Sequence, residues 1–404
     1  MGKLRFLIAL IVGKVSIFLL DKIFKRGTNL PGEIMLKICP DALSRFTMPK
    51  TTVCVTGTNG KTGTSNLLTH IIRNSGKTVV NNSKGSNMAP GLVTALASDC
   101  TLGGKVNSDV AVLEVDERSS QFIYTKFVPD YILCTNLFRD SIMRNGHSGF
   151  IFDKINDYLD EKTTLVLNGN DGISGLLGEN KCNRVFFSVD KTERSTDVCE
   201  DTVCDLIACP KCNHKLDYEF YHYNHIGVPK CNYCGFSMPQ STYFASDVDF
   251  ENGTFVFDGD KGESLVLPYQ KGNFFNVFNI TGACAICRLM GIDIDIIEDG
   301  ETFQENAHIK ARAVFEATGL PTIADDSGLE IDFLNGAPGI YSARYAGEGA
   351  TDKERCQKVL DEMHGVDRSL RDARFVCSIY FIFSEDEGYN VNGTVEGYIG
   401  DEMV

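Results

Sequence analysis

Lys61 and Thr62 close a short glycine loop, Gly57-Thr58-Asn59-Gly60-Lys61-Thr62, whose residue types suit a triphosphate. Glycine at 57 and 60 lets backbone N–H groups turn toward phosphate oxygens. The lysine neutralises the β/γ-phosphates, and the threonine hydroxyl is a ligand for Mg²⁺. Glu114, Asp116 and Glu117 close an apolar run and offer carboxylates to the same ion. Glu114 is preferred because it lies inside the run, where an unpaired charge is costly. Cys209-x-x-Cys212 and Cys231-x-x-Cys234, eighteen residues apart, bring four thiolates around one tetrahedral Zn²⁺. Such a set leaves no open coordination position, so its expected role is structural. A second acidic group, Asp325-Asp326-Ser327-Gly328, follows Lys310 and precedes Arg344. Adjacent acids in an apolar setting need partners, and a divalent metal with phosphate supplies them.

The elements that must position these residues read as an α/β domain. Thr51 to Val55 is a β-branched strand entering the glycine loop, and a helix is expected from Gly63 to Asn74. Further strands, Val110 to Val115, Tyr131 to Asn136 and Thr164 to Leu167, each run into a polar loop. Repeated units of this kind predict a parallel sheet with ligands at its carboxyl edge. Cys284 and Cys287 fall in an apolar helical run and read as core packing rather than redox chemistry. Thr302 and Glu305 predict a capping box, which sets Asn306, Lys310 and Ala313 on one helix face. Thr322 to Glu330 reads as a short strand and a turn, and Gly336 to Tyr345 as a rigid turn carrying Arg344.

The 404 residues allow two or three domains, and a 43% apolar fraction supports large cores. A net charge of −15 excludes general binding to nucleic-acid backbones. Fifteen cysteines, mostly single, suit a reducing cytoplasm. Phe6 to Leu20 is apolar except for Lys14 and Ser16, and no cleavage site follows it. Three readings stay open for it: a helix docked on the core, an interfacial helix, or a span. Lys3, Arg5, Lys14, Lys22, Lys25 and Arg26 would suit a peripheral position at the inner face of a membrane.

TGTNGKT, Glu114 to Glu117, Asn136 to Asp140, Asn168 to Asp171 and Gly272 to Asn279 occur in the order of the Mur ligases. This part resembles their central ATPase domain, most closely the MurT family of lipid II isoglutaminyl synthase subunits. The resemblance implies residues 1–44 as an N-terminal segment and 45–291 as an ATP-binding domain with a zinc-ribbon insertion at about 205–240. It also implies ATP and Mg²⁺ as cofactors, Asn276 toward the adenine, and Asn136 and Asp140 beside the metal and acyl phosphate. Lys61 and Glu114 would act in catalysis. Lipid II would be the substrate and a GatD-type glutaminase the partner. In the family a C-terminal Mur domain helps dock that partner, and here the resemblance ends near Gly291.

Residues 296–404 resemble the RdgB family of non-canonical purine triphosphate pyrophosphatases, at ETFQENAHIKARA, ADDSGLEID and GAPGIYSARYAGE. The resemblance implies a partial α/β domain in which Asp326 is metal ligand and general base. Glu298 would help hold Mg²⁺, Ser327 would touch substrate, and Lys310 and Arg344 would neutralise phosphates of ITP, XTP or dITP. The family's opening Thr/Ser-x-Asn-x-x-Lys loop and its later base-recognition segments are not read in the chain, so weak or absent hydrolysis is expected. Three functions follow: an amide-forming ligase subunit, a pyrophosphatase, and an inactive chimera or assembly artefact.

Overall fold

The structure, a computed structural model, describes residues 2–24, 29–83, 85–139, 148–201, 204–259, 264–269, 271–292, 294, 302–318, 321–347, 351–384 and 387–402. It separates into two compact units, Met1–Asp295 and Ile296–Val404.

The first unit is built on a nine-stranded sheet. In chain order its elements are α1 (Gly2–Phe24), α2 (Leu30–Ile38), β1 (Thr51–Thr56), α3 (Lys61–Asn74), β2 (Val79–Asn81), α4 (Ala89–Ser98), β3 (Val110–Glu114), α5 (Ser120–Ile123), β4 (Tyr131–Cys134), α6 (Ser148–Asn156), β5 (Thr164–Asn168) and β6 (Asn183–Val189). A small hairpin follows, β7 (Asp217–Tyr223) and β8 (Ile226–Lys230). The chain returns through β9 (Tyr243–Asp249), β10 (Thr254–Asp258) and β11 (Leu265–Pro268) to α7 (Phe275–Leu289). The strand order is β11-β10-β9-β6-β5-β4-β1-β3-β2. Pairing is parallel from β2 to β9 and antiparallel across β9, β10 and β11.

Alternation along the strands explains why the central runs are apolar throughout. Cys54, Ala111, Leu113, Ile132 and Leu165 point to one layer, with Leu10, Met35, Leu92, Leu96 and Ile151 of the helices there. Val53, Val55, Val112, Leu133 and Val166 point to the other, against Leu68, Ile72, Val277 and Phe278 of α3 and α7. A parallel sheet covered on both faces requires this pattern. Burying one such side chain contributes roughly 1.5–3 kcal/mol. Cys284 and Cys287 lie in that second layer, as core packing requires. Burial pushes the Cys284 thiol up to about 12 and the Cys287 thiol well above its usual range, so neither is suited to thiolate chemistry.

In the second unit α8 (Phe303–Thr318) lies on an antiparallel sheet of β12 (Thr322–Ile331), β13 (Asp372–Ser384) and β14 (Glu387–Tyr398), in that order, with α9 (Asp352–Glu362) between β12 and β13 in the chain. The Thr302 hydroxyl accepts the Glu305 amide at 3.1 Å, capping α8. One expectation changes. Thr322 to Glu330 is not a short strand and turn but part of an unbroken ten-residue strand, paired along its length with β13. Long-range pairing overrides the local turn preference of Asp-Ser-Gly.

Candidate functional site

The glycine loop sits at the carboxyl end of β1, where the strand order reverses between β3 and β4. Gly57 and Gly60 have φ of +127° and +85°, which side chains rarely adopt. Space forbids side chains as well. A Cβ on Gly57 would lie 2.2 Å from Thr135 Oγ1, and one on Gly60 2.3 Å from Asn279 Oδ1. The loop is sewn to the segment after β4. Thr58 N donates to Asn136 O at 2.8 Å, Asn59 N to Asn136 Oδ1 at 3.0 Å, and Phe138 N to Thr58 Oγ1 at 2.9 Å. Asn136 therefore seats the loop itself.

Lys61 opens α3 and its Nζ turns inward, to Gly57 O, Thr58 O and Glu117 Oε1, the last at 3.0 Å. Glu117 is buried. That burial raises its carboxyl above the usual range, with the Lys61 charge opposing the rise. The burial argument that favoured Glu114 applies instead to Glu117. Asp116 Oδ1 accepts the amides of Arg118 and Ser119, and this turn carries Glu117 back onto the lysine. Glu114 is only half-buried. Its Oε2 accepts from Thr62 Oγ1 at 2.8 Å, and its Oε1 from Asn87 Nδ2 at 3.1 Å. Oxygens in neighbouring positions of a Mg²⁺ octahedron lie about 2.9 Å apart, so the Thr62–Glu114 pair fits that ion. Asn279 on α7 stands against Gly60; it closes the Gly272 to Asn279 stretch, where no spacing distinguishes it from its neighbours. Asn276 stands half-buried at the start of the same helix. Asp140 lies outside the described residues.

Asp171, after β5, is fully buried. It accepts the Leu137 amide at 2.8 Å, the Ile173 amide at 2.8 Å and His225 Nε2 at 3.0 Å. Burial works to raise its pKa, but the charge and hydrogen bond of His225 outweigh that and hold the carboxyl below its usual range. His225 precedes β8, so this pair ties the β7–β8 hairpin to the segment that seats the glycine loop.

Beside that hairpin, Cys209, Cys212, Cys231 and Cys234 gather their sulfurs within 4.8 Å of one another. Cys209 and Cys234 sulfurs are 3.6 Å apart, Cys212 and Cys231 sulfurs 3.5 Å. Four thiolates around Zn²⁺ at its ordinary bond length would lie about 3.8 Å apart, so the set fits that ion. Asn213 and Gly235, with φ of +60° and +74°, turn their amides back to Cys209 O and Cys231 O. The Cys234 amide holds the Cys231 thiol down at about 6, against a smaller effect of burial, and the Tyr233 amide assists.

In the second unit, Asp326 is buried between two α8 side chains. Lys310 Nζ donates to Oδ1 at 2.7 Å and Asn306 Nδ2 to Oδ2 at 3.2 Å. Ser327 donates to Asp325 Oδ2 at 3.2 Å. Gly328 leaves room for the following turn, since a Cβ there would meet Gly339 O and Ser342 Oγ at 2.5 Å. Glu298 and the side chain of Arg344 lie outside the described residues.

A parallel sheet with a glycine loop at its switch point, and lysine and carboxylates around that loop, defines a nucleotide-site architecture of the Mur-ligase kind. Residues 55–207 match the Mur ligase middle domain, and residues 277–404 match the Ham1 family. The lipid II isoglutaminyl synthase (glutamine-hydrolyzing) subunit MurT of Streptococcus pneumoniae is 30% identical over 318 residues, covering 77% of this chain and 67% of that protein. The chain belongs to the MurT family, with a Ham1-like domain at its C-terminal side. It spans 62% to 67% of the length of the MurT proteins it matches. The dITP/XTP pyrophosphatase of Bacillus licheniformis is 48% identical over 113 residues, 28% of this chain and 58% of that protein. Among solved structures, a pseudomurein peptide ligase type C from Methanothermus fervidus is similar at TM-score 0.50 and 26% identity, covering 65% of this chain and 52% of that one.

Proposed function

We infer that the chain acts as an ATP-dependent ligase subunit of lipid II isoglutaminyl synthase. The γ-phosphoryl group passes to the free α-carboxylate of D-glutamate in the stem peptide, and ammonia then displaces phosphate to leave D-isoglutamine. The observation that carries this reading is the Lys61, Thr62 and Glu114 group around a glycine loop seated by Asn136, in a chain of the MurT family. Lys61 would neutralise the β/γ-phosphates, and Asn276 would face the adenine. Thr62 and Glu114 would hold Mg²⁺, which withdraws charge from the transferring phosphoryl group. Ammonia would come from a GatD-type glutaminase. The four cysteines would hold Zn²⁺ in a structural role within a ribbon insertion. A lipid-linked substrate places the work at the inner face of the membrane. The test is nucleotide binding with a fluorescent ATP analogue. Binding that requires Mg²⁺ and is lost in Lys61→Ala supports the reading. Equal binding by that variant ends it.

A second activity, hydrolysis of ITP, XTP or dITP to monophosphate and pyrophosphate, rests on one further arrangement. Asp326 is held by Lys310 and Asn306 beside Ser327, where metal and phosphates would meet. Glu298 and Arg344 complete that proposed set. Pyrophosphate release from ITP that disappears in Asp326→Asn supports it, and release that persists refutes it.

A further inference from the structure

The face of α1 turned away from the domain is apolar. Leu4, Ile8, Ile11, Val15, Phe18 and Leu19 are each between 45% and 64% exposed. The first five follow each other at steps of four and three residues, which keeps them on one side of a helix. The opposite side is docked. Phe6, Ala9 and Leu10 are buried, and Phe6 meets Phe46 edge-on at 5.3 Å. At Gly13 an added Cβ would lie 2.2 Å from Met35 Sδ, so α1 and α2 pack in close contact there. Arg5 Nε donates to Ile38 O. The helix is thus held from Arg5 to Gly13 and packed again at Ile17, which turns the exposed stripe outward.

Charge tells what fits this stripe. The chain carries a net charge of −15, yet residues 1–20 hold three cations, Lys3, Arg5 and Lys14, and no acid. At helical spacing Arg5 and Lys14 fall on either border of the stripe, between the docked and exposed faces. A second copy of the chain would bring these like charges together along a paired helix, which disfavours self-association. Apolar side chains rimmed by cations match the boundary between acyl chains and anionic headgroups. Among the described residues no helix is long and apolar enough to cross a membrane. Turning α1 across a bilayer would also strip it from Met35 and Phe46.

We propose that α1 is a membrane-docking surface, which lies in the plane of an anionic bilayer with Leu4, Ile8, Ile11, Val15 and Phe18 below the headgroups. The inference stands apart from the ligase reading, because it concerns the lipid surface and not a lipid-linked peptide. The test is cosedimentation of the full chain with vesicles of phosphatidylcholine and phosphatidylglycerol containing no lipid II, beside vesicles of phosphatidylcholine alone. Binding is expected to the anionic vesicles, weakening with salt. The Ile11→Glu/Val15→Glu variant is expected to lose it while melting like the parent. Lys14→Gln is expected to weaken it about fivefold, which keeps the proposal open to refutation should the double variant not fold. Three results overturn it. One is failure of the parent to bind anionic vesicles. Another is binding unchanged in the double variant or in Lys14→Gln. The third is a parent dimer that becomes monomeric in the double variant without vesicle binding, which assigns the stripe to a second copy.

Discussion

Both units park a lysine on a buried carboxylate, and the two lysines are parked differently. Lys61 and Glu117 meet at 3.0 Å with both side chains largely out of water, while Lys310 and Asp326 meet at 2.7 Å with the lysine 30% exposed. In the first unit the carboxylate that takes the lysine is not the one facing the threonine. Thr62 and Glu114 form a separate pair beside it. In the second unit the carboxylate that takes the lysine is the proposed metal ligand itself. An incoming nucleotide in the first unit would compete for a lysine and leave the metal-suited pair intact. In the second, metal and lysine would share Asp326, so the lysine would yield or become part of the loaded site.

That contrast is broken most strongly by Lys61→Ala. Hydrogen bonds to charged groups each contribute about 1.5–3 kcal/mol, so ATP affinity should fall roughly 100-fold. Titration with a fluorescent ATP analogue reads it. If affinity falls less than about threefold, Lys61 does not meet the phosphates and the first half of the comparison is lost. In the same variant the second unit should still release pyrophosphate from ITP to the same extent as the parent. A parallel loss there would mean the two units do not work independently.

The next effect concerns the support beneath the loop. Asp171 and His225 are both fully buried, and removing one partner of such a pair costs about 3–5 kcal/mol. His225→Ala should therefore lower the stability of the first unit by about 3 kcal/mol in urea unfolding. The acid side carries its own sign. The folded state holds the Asp171 carboxyl below its unfolded pKa, so its contribution is present above about pH 4 and lost as pH falls through the lower folded value. Asp171→Asn should accordingly show a shallower loss of stability below pH 4 than the parent. Chelation addresses the neighbouring cysteines. If they hold Zn²⁺, removing the metal should release roughly one zinc per chain and unfold the ribbon locally. Elemental analysis before and after, with amide exchange across residues 205–240, reads both.

What the sequence disclosed about these sites followed their contiguity. The glycine loop, the two cysteine pairs and the strand–loop repeats are written in neighbouring residues, and the mixed α/β class with a Mur-like first part was legible from them. The pairing of Glu117 with Lys61, the place of Asn279 and the Asp171–His225 pair were not. Each owes its place to a partner far along the chain: Glu117 lies 56 residues from Lys61, and His225 54 from Asp171. No local period marks such pairs. The antiparallel edge β9 to β11 was missed for a related reason. β9 mixes polar residues into its run, and β10 and β11 carry only three consecutive apolar residues each, Phe255 to Phe257 and Leu265 to Leu267, too short to announce a strand. The α9 capping box of Thr351 and Glu354, with both reciprocal bonds present, has the same Thr-x-x-Glu spacing as Thr302 and Glu305. It went unread because an almost wholly polar helix follows it, and no apolar period drew attention there.

The smallest expected effect is the sharpest probe of the opening contrast, because its sign is opposite in the two units. Glu117→Gln keeps the shape of the side chain and removes the charge that competes for Lys61. With the pair released, the ammonium reaches phosphate at lower cost, and ATP affinity should rise a few-fold, on the order of the 1 kcal/mol that separates competing charge-assisted bonds. Asp326→Gln or Asp326→Asn likewise frees Lys310, yet it deletes the proposed metal ligand, so turnover of ITP should fall and not rise. Opposite signs from two substitutions that each unpair a lysine would place the metal-holding role on Asp326 and away from Glu117. A loss of ATP affinity in Glu117→Gln would instead mean that this buried carboxylate orients Lys61 toward phosphate, and the two parked lysines would then serve one purpose.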